Sequence, residues 1–361
     1  MARKHPSCCS EPVFFQDRNH SVDHGSLEQR FDPILRSLVP PEGKIVVAVS
    51  GGMDSVALLH LIRGCRWLPP DRVVVAHFDH ALRQESLEEA GFVAGLCQTL
   101  GVSMIQERWS DPHGKGNVQE RAREARYRFF IQVAQQSGSV LIVTGHHGDD
   151  QVETFWEHLL RGSGVKGLGG MPVVRPLQPG LGLVRPMLFF FREEIHRWVL
   201  AHGLEWREDP GNRSDRFLRS RLRHEWIPLA HGFAPQLRQR VLETAVRMHR
   251  ADHALMWMLD HVWPSLDVQT IAEGLSLLRS ALIALPDELL VRTLSRCSET
   301  LTGVFHPPGS RAAEGFLRMV RSPVRRWHMR VRRLEISRQD DRITLCRAEG
   351  APRGEKKGSP P

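Results

Sequence analysis

Lysine is scarce in this 361-residue chain, occurring only at 4, 44, 115, 166, 356 and 357, so the net charge of +8 rests almost wholly on arginine. Arginine's planar fork suits phosphate, which makes a polyanion such as RNA a natural partner; an arginine-rich solvated surface would have the same composition. No apolar run reaches the ~18 residues of a membrane span. The stretch before Val22 lacks the apolar core of a secretory signal. The chain is therefore expected in the cytoplasm and off the membrane. Cys8, Cys9, Cys65, Cys97, Cys297 and Cys346 form no CxxC pair and no zinc spacing, which excludes a structural zinc and fits a reducing compartment.

The 41% hydrophobic content is enough for real cores, and the length suggests two domains. After a polar stretch over 1–25, expected to be disordered, a helix is expected around Leu27–Leu38. Strands at 44–50, 72–79, 102–108 and 139–145 then alternate with helices at 54–63, 85–100, 116–137 and 149–161. That alternation predicts an α/β fold with a doubly wound parallel sheet. A Gly/Pro-rich stretch over 162–186 precedes a helix from Arg192 to His202, and a catalytic domain is expected over 26–230. Residues 231–350 read as a smaller, mainly helical domain, with helices over 236–263, 271–285 and 287–301. A hairpin of His328–Ser337 and Arg342–Ala348 closes it, and 351–361 forms a second tail.

The chemistry concentrates in two segments. Ser50-Gly51-Gly52-Met53-Asp54-Ser55 follows the apolar run Lys44–Val49 and opens a helix. A strand that ends in a glycine turn and re-enters as a helix aims backbone N–H groups at one point, a phosphate site. Asp54 supplies a carboxylate where a Mg²⁺-nucleotide needs one. No lysine follows the glycines, so this is not the GxxxxGK[ST] loop; an ordinary capped β-turn-α connection remains the alternative. The second segment is Gly145-His146-His147-Gly148-Asp149-Asp150-Gln151-Val152-Glu153-Thr154. Helix capping alone would account for Asp149 and Asp150, but not for the histidines, Gln151 or Glu153. Ser50, His77–His80 and Gly145–His147 each fall at the carboxyl end of a strand, where ligands bind in open α/β sheets.

Taken together, the SGGxDS loop and HHxDDQxET resemble the PP-loop ATP pyrophosphatase superfamily and, within it, the tRNA(Ile)-lysidine synthases. The resemblance extends through Asp79–Arg83, Asn117–Glu120, Ala122-Arg123, Arg126-Tyr127, Arg161–Gly164, Arg185–Met187, Arg192–Ile195 and Trp206–Asn212 to Arg219 and Arg223, in the family's order over about residues 44–228. It implies an ATP-dependent ligase in which the wobble cytidine of an isoleucine tRNA is adenylated and free lysine displaces AMP. By position, Ser50, Gly51, Gly52, Met53, Asp54, Ser55, His146 and Gln151 would bind the nucleotide, with Mg²⁺ on Asp54 and Asp149. Asp54, Asp149 and Asp150 would be catalytic. Glu153, Arg83, Arg123, Arg126, Arg219 and Arg223 would face lysine or tRNA, with ordinary ion pairs as the alternative for each arginine. The protein would act as a monomer or homodimer.

The chain departs from the family at Arg219-Ser220-Arg221-Leu222-Arg223, where an asparagine commonly precedes the last arginine. Gly162-Ser163-Gly164-Val165-Lys166-Gly167 spells GxGxxG but follows a helix, so it lacks the context of a dinucleotide fingerprint. Arg318, Arg321, Arg325, Arg326, Arg330, Arg332 and Arg333 form a basic cluster suited to RNA backbone or to a charged strand edge. The competing functions are a PP-loop tRNA thiolase, which needs a reactive cysteine or an iron–sulfur ligand set, and a catalytically silent RNA-binding protein.

Overall fold

The structure, a computed structural model, describes residues 25–80, 86–111, 117–207, 218–303 and 308–348. Both expected tails thus lie outside the described residues, apart from Gly25. The chain divides into two compact units, 1–249 and 250–361.

In the first unit, α1 (Leu27–Leu38) starts at a reciprocal cap: Ser26 Oγ accepts from the Gln29 N–H, and the Gln29 side chain accepts from the Ser26 N–H. Then follow β1 (Lys44–Ala48), α2 (Met53–Gly64), β2 (Val73–Asp79), α3 (Ser86–Leu100), β3 (Ser103–Arg108), α4 (Val118–Ser137), β4 (Ser139–Val143) and α5 (Gly148–Leu160). These lie within two residues of the helices and strands expected from hydrophobic periodicity. The Gly/Pro-rich stretch contains more order than expected: a short α6 (Val165–Leu168) and two strands, β5 (Val174–Gln178) and β6 (Leu181–Val184). Beyond it come α7 (Arg192–Ala201), α8 (Leu218–Arg221), a π-helical turn over Leu222–Trp226, α9 (Ile227–Phe233) and α10 (Leu237–Val262), inside which the division between units falls.

The sheet order is β3-β2-β1-β4-β6-β5, parallel except for β5, which runs antiparallel to β6. Strands covered on both faces read as continuous apolar runs, and all seven residues of β2 are buried. One face packs Phe31, Leu35, Leu58, Leu59, Ile62 and Ile195 from α1, α2 and α7; the other packs Phe129, Phe130 and Val133 of α4. The chain winds outward from β1 in one direction and from β4 in the other. The order therefore switches between two adjacent strands, leaving a crevice at their carboxyl ends.

The second unit contains a larger sheet than the expected hairpin. It holds β7 (Gln269–Ile271), β8 (Gly274–Leu278), α11 (Arg279–Ile283), α12 (Asp287–Thr302), α13 (Ser310–Arg321), β9 (Arg326–Val331), β10 (Leu334–Gln339) and β11 (Arg342–Arg347). The strands form an antiparallel sheet of order β7-β8-β11-β10-β9. The expected helix over 271–285 is half strand. The five-residue run Gly274–Leu278 pairs with β11 instead of continuing the helix, and an apolar run that short carries no period to tell the two apart. The first hairpin arm is two strands, because Arg332 turns the chain at φ +54°. Among the described residues no helix is long and apolar enough to cross a membrane.

Leu58 is fully buried under the sheet on the helix that carries the phosphate-loop residues. Leu58→Ala should lower the unfolding free energy of the first unit by about 3 kcal/mol, read as a lower urea midpoint at unchanged slope.

Candidate active site

The turn after β1 is braced from within. Gly51 sits at φ +92°, a left-handed conformation that a side chain would strain. Ser55 Oγ accepts from the Ser50 N–H at 3.1 Å and donates to the Gly52 carbonyl at 2.8 Å; Ser50 Oγ accepts from the Gly52 N–H at 3.3 Å. The Arg207 N–H donates to the Gly51 carbonyl at 2.9 Å. Both serine hydroxyls thus hold the loop's shape. No side chain caps the start of α2, which is the arrangement of a helix end that receives an anion.

The loop after β4 lies directly against this turn. A Cβ added to Gly145 would stand 3.0 Å from the Asp54 carbonyl oxygen, and one added to Gly148 would stand 3.0 Å from that of Phe190. His147, 2% exposed, occupies the junction. Its Nε2 lies 3.5 Å from Asp54 Oδ2 and 3.6 Å from Asp150 Oδ2, and its Nδ1 lies 3.7 Å from Asp149 Oδ2. Burial works against the imidazolium, but the Asp150, Asp54 and Asp149 carboxylates outweigh it and hold the His147 pKa above its ordinary value.

Each carboxylate has a different set of partners. Asp150 accepts the His147 backbone N–H at 3.0 Å, so the expected capping role is real, and it also accepts from Arg219 at 2.9 Å. Burial raises its pKa, yet the His147 and Arg219 charges hold it below the usual carboxylate range. Asp149 receives the Arg192 backbone N–H at 2.7 Å on one oxygen and the Arg238 guanidinium at 3.1 Å on the other. Glu153, 1% exposed, is gripped by Arg219 Nε at 2.7 Å and Arg223 Nε at 2.5 Å. Asp54 differs: its Oδ1 is buried with no hydrogen-bond partner among the described residues. The cleft above these groups is also lined by Met53, Arg192, Glu193, His196, Trp206 and Ile227.

Ser50–Ser55, Asp149, Asp150, Glu153, Arg219 and Arg223 therefore come together. The two arginines meet carboxylates in this state. His146 stands beside them with Nδ1 2.9 Å from Thr144 Oγ1; burial, aided by Arg185, Arg126 and Arg219, drops its pKa to about 4. Gln151 turns away and fastens the 169–171 loop, donating to the Gly169 carbonyl at 3.0 Å and accepting the Met171 N–H at 2.7 Å. Arg123 and Arg126 lie around Tyr127, at 4.9 and 5.9 Å from its ring centroid. Arg83 and Glu208–Asn212 lie outside the described residues. Sequence reasoning did not single out His147, Arg192 or Arg238. The doubled histidine was the visible signal for the first and the Arg192–Ile195 segment of the resemblance for the second; nothing in the sequence marked Arg238.

A strand-turn-helix phosphate loop at the switch point, facing a second helix start rich in carboxylates, defines a PP-loop nucleotide-binding domain. Residues 24–230 match the family profile ATP_bind_3, a PP-loop domain. The chain is 37% identical over 201 residues to the tRNA(Ile)-lysidine synthase of Enterococcus faecalis, 56% of this chain and 43% of that protein. It is 38% identical over 280 residues to that of Gloeobacter violaceus, 76% of this chain and 82% of that protein. The chain belongs to the tRNA(Ile)-lysidine synthase family, while spanning less than half the length of the Enterococcus relative. In fold it is similar to a U34-tRNA thiolase of Methanococcus maripaludis, with a TM-score of 0.53 at 15% identity over 61% of this chain and 76% of that one.

Two outcomes follow from this geometry. Gly145→Ala should leave a folded protein with activity reduced about 10–100-fold, because the added methyl pushes on the Asp54 backbone; steady-state kinetics beside a thermal melt checks it. His146 titrates near 4 when folded and near 6.5 when unfolded, so between those values the unfolded chain binds the extra proton. Its contribution to stability is present above pH 6.5 and lost as pH falls toward 4. His146→Asn should therefore flatten the loss of denaturation midpoint over that window.

Proposed function

We propose that the protein is a tRNA(Ile)-lysidine synthase, joining free lysine to the wobble cytidine of an isoleucine tRNA at the expense of ATP. The reading rests on one observation above all: Asp54 of the phosphate loop and Asp150 of the second helix start both lie within 3.6 Å of the His147 ring. The two motifs thus share one cleft. In the first step the cytosine carbonyl oxygen attacks the α-phosphorus of ATP and pyrophosphate leaves. In the second the lysine ε-amine attacks the activated ring carbon, the carbon–oxygen bond breaks, and AMP leaves as the amine loses its proton.

The chain's residues fit these demands. The uncapped start of α2 and the turn at Gly51 present backbone N–H groups to the departing pyrophosphate, where negative charge grows. Mg²⁺ would sit on Asp54, whose buried Oδ1 lacks a partner, and would neutralise phosphate charge. Among the described residues no cluster of three His, Cys, Asp or Glu forms a protein cage for a metal. One carboxylate plus substrate phosphates is the usual way Mg²⁺ is held. Asp149, with both oxygens engaged, orients the start of α7 and Arg238. Asp150 and Glu153 would face the lysine ammonium in competition with Arg219 and Arg223, and Asp150, its pKa held below the usual carboxylate range, would bind that ammonium and not serve as a strong base.

The thiolase alternative is less well supported. Burial pushes the Cys97 thiol up to about 11 and the Cys297 thiol up to about 12, and Cys65 shifts in the same direction. None of these is a thiolate at neutral pH.

With ATP, labelled lysine and isoleucine tRNA whose anticodon begins with cytidine, AMP should be released only when lysine is present, with label retained on the RNA. Asp54→Asn should cut turnover at least about 100-fold. Label transferred from a sulfur donor instead would establish the thiolase, and RNA retention without AMP would establish a silent binder.

A further inference from the structure

Most arginines around the cleft have carboxylate partners; one group does not. Tyr127, the chain's single tyrosine, has the guanidinium carbons of Arg123, Arg126 and Arg175 at 4.9, 5.9 and 5.8 Å from its ring centroid. Its hydroxyl accepts from Arg123 at 3.4 Å. Arg185, 2% exposed, stands by the same tyrosine with Nη1 on the Pro172 carbonyl at 2.7 Å. Among the described residues no ion pair joins any of these four arginines to a carboxylate. Four guanidinium groups therefore gather round one aromatic ring. Burial and mutual repulsion lower the pKa of both Arg126 and Arg185, the mark of a cluster assembled against its own electrostatics.

The topology puts this cluster beside the reacting groups. Arg185 follows β6, which is parallel to β4, so it emerges at the same sheet edge as Gly145–His147. Arg123, Arg126 and Tyr127 ride on the first half of α4, which begins at that edge after β3. Arg175 lies on β5, opposite Leu183 of β6. The exposure is graded: Arg123 and Arg175 are exposed, Arg126 and Tyr127 half-buried, Arg185 buried. His146, which feels both Arg126 and Arg185, lies at the inner end.

We propose that Arg123, Arg126, Arg175 and Arg185, gathered round Tyr127, form the seat for the RNA backbone phosphates that flank the reacting base. This rests on the ligase reading above and adds to it where the polymer lies. The amide-lined turn at Gly51 already serves the nucleotide's phosphates, on the β1 side of the crevice. A second phosphate-binding surface, on the β4–β6 side and running from solvent inward, matches a chain of phosphates that must deliver one base. Arginine forks suit that task, and the Tyr127 ring gathers them through contacts with its face.

The test is the double variant R123A/R175A, both residues exposed, with R123K/R175K as the charge-retaining partner. The KM for the cytidine-bearing isoleucine tRNA should rise about tenfold and the salt dependence of tRNA binding should become shallower by about 1–2 in log–log slope. KM for ATP should stay within about twofold, and the lysine variant should recover most of the loss. A rise in KM for ATP with tRNA unaffected would make this a nucleotide site and overturn the proposal, as would unchanged tRNA binding. Anisotropy of labelled tRNA without ATP or lysine separates the two readings. A wild-type protein that binds tRNA but makes no lysidine sinks the ligase reading, while the difference between wild type and R123A/R175A still decides the cluster.

Discussion

The whole site depends on how closely two backbones approach at the switch between β1 and β4. The Gly145 Cα faces the Asp54 carbonyl so closely that an added methyl group would stand 3.0 Å from its oxygen. Only that approach brings the starts of α2 and α5 to one crevice. Each helix start carries a partial positive charge; that of α2 has no side-chain cap, while that of α5 already meets Asp149 and Asp150. The fold supplies this pairing wherever adjacent parallel strands diverge in winding; the glycine lets the two turns approach closely.

Placing four carboxylates, Asp54, Asp149, Asp150 and Glu153, in that crevice has an electrostatic cost, and the surrounding cations show how it is offset. His147 lies buried between Asp54, Asp149 and Asp150, and their charges raise its pKa. Arg219 and Arg223 clamp Glu153 and reach Asp150, and Arg238 takes Asp149. A charge buried this deeply is tolerable only when paired. The arginines in the family's final motif therefore act here as counter-ions that hold Glu153 and Asp150 in position. The oxygen left over, Asp54 Oδ1, is the one that needs a partner from outside.

Much of the first unit was legible because its signals are local. An apolar strand, a glycine turn and an apolar helix identify β1 and α2 from the sequence alone, and alternation fixes the parallel sheet. What escaped depends on distant partners. β5 and β6 lie in a Gly/Pro-rich stretch whose strand character comes from pairing with β4, not from propensity. His146 and His147 look equivalent in sequence, yet only His147 reaches the carboxylates, since neighbouring residues on an extended segment point to opposite sides. Gln151 reads as a nucleotide ligand, but its amide is consumed by the Gly169 and Met171 backbone 18 and 20 residues away. Asp150 shows that capping does not use up a carboxylate: one oxygen serves the helix start while the other accepts from Arg219.

The arginines make the same point more sharply, because one residue type takes two opposite states a few residues apart in the fold's logic. Arg219 and Arg223 gain from folding, with burial outweighed by Glu153 and Asp150, so their pKa rises. Arg126 and Arg185 lose from it, so theirs falls. A group whose charge is disfavoured by folding weakens the free protein, and any polyanion that restores the balance must bind the folded form more tightly in return. The paired arginines meet their carboxylates within the fold; those round Tyr127 have no ion pair among the described residues. Composition alone, with 49 lysines and arginines against 41 acidic residues, cannot separate the two roles. The three-dimensional placement of the carboxylates does.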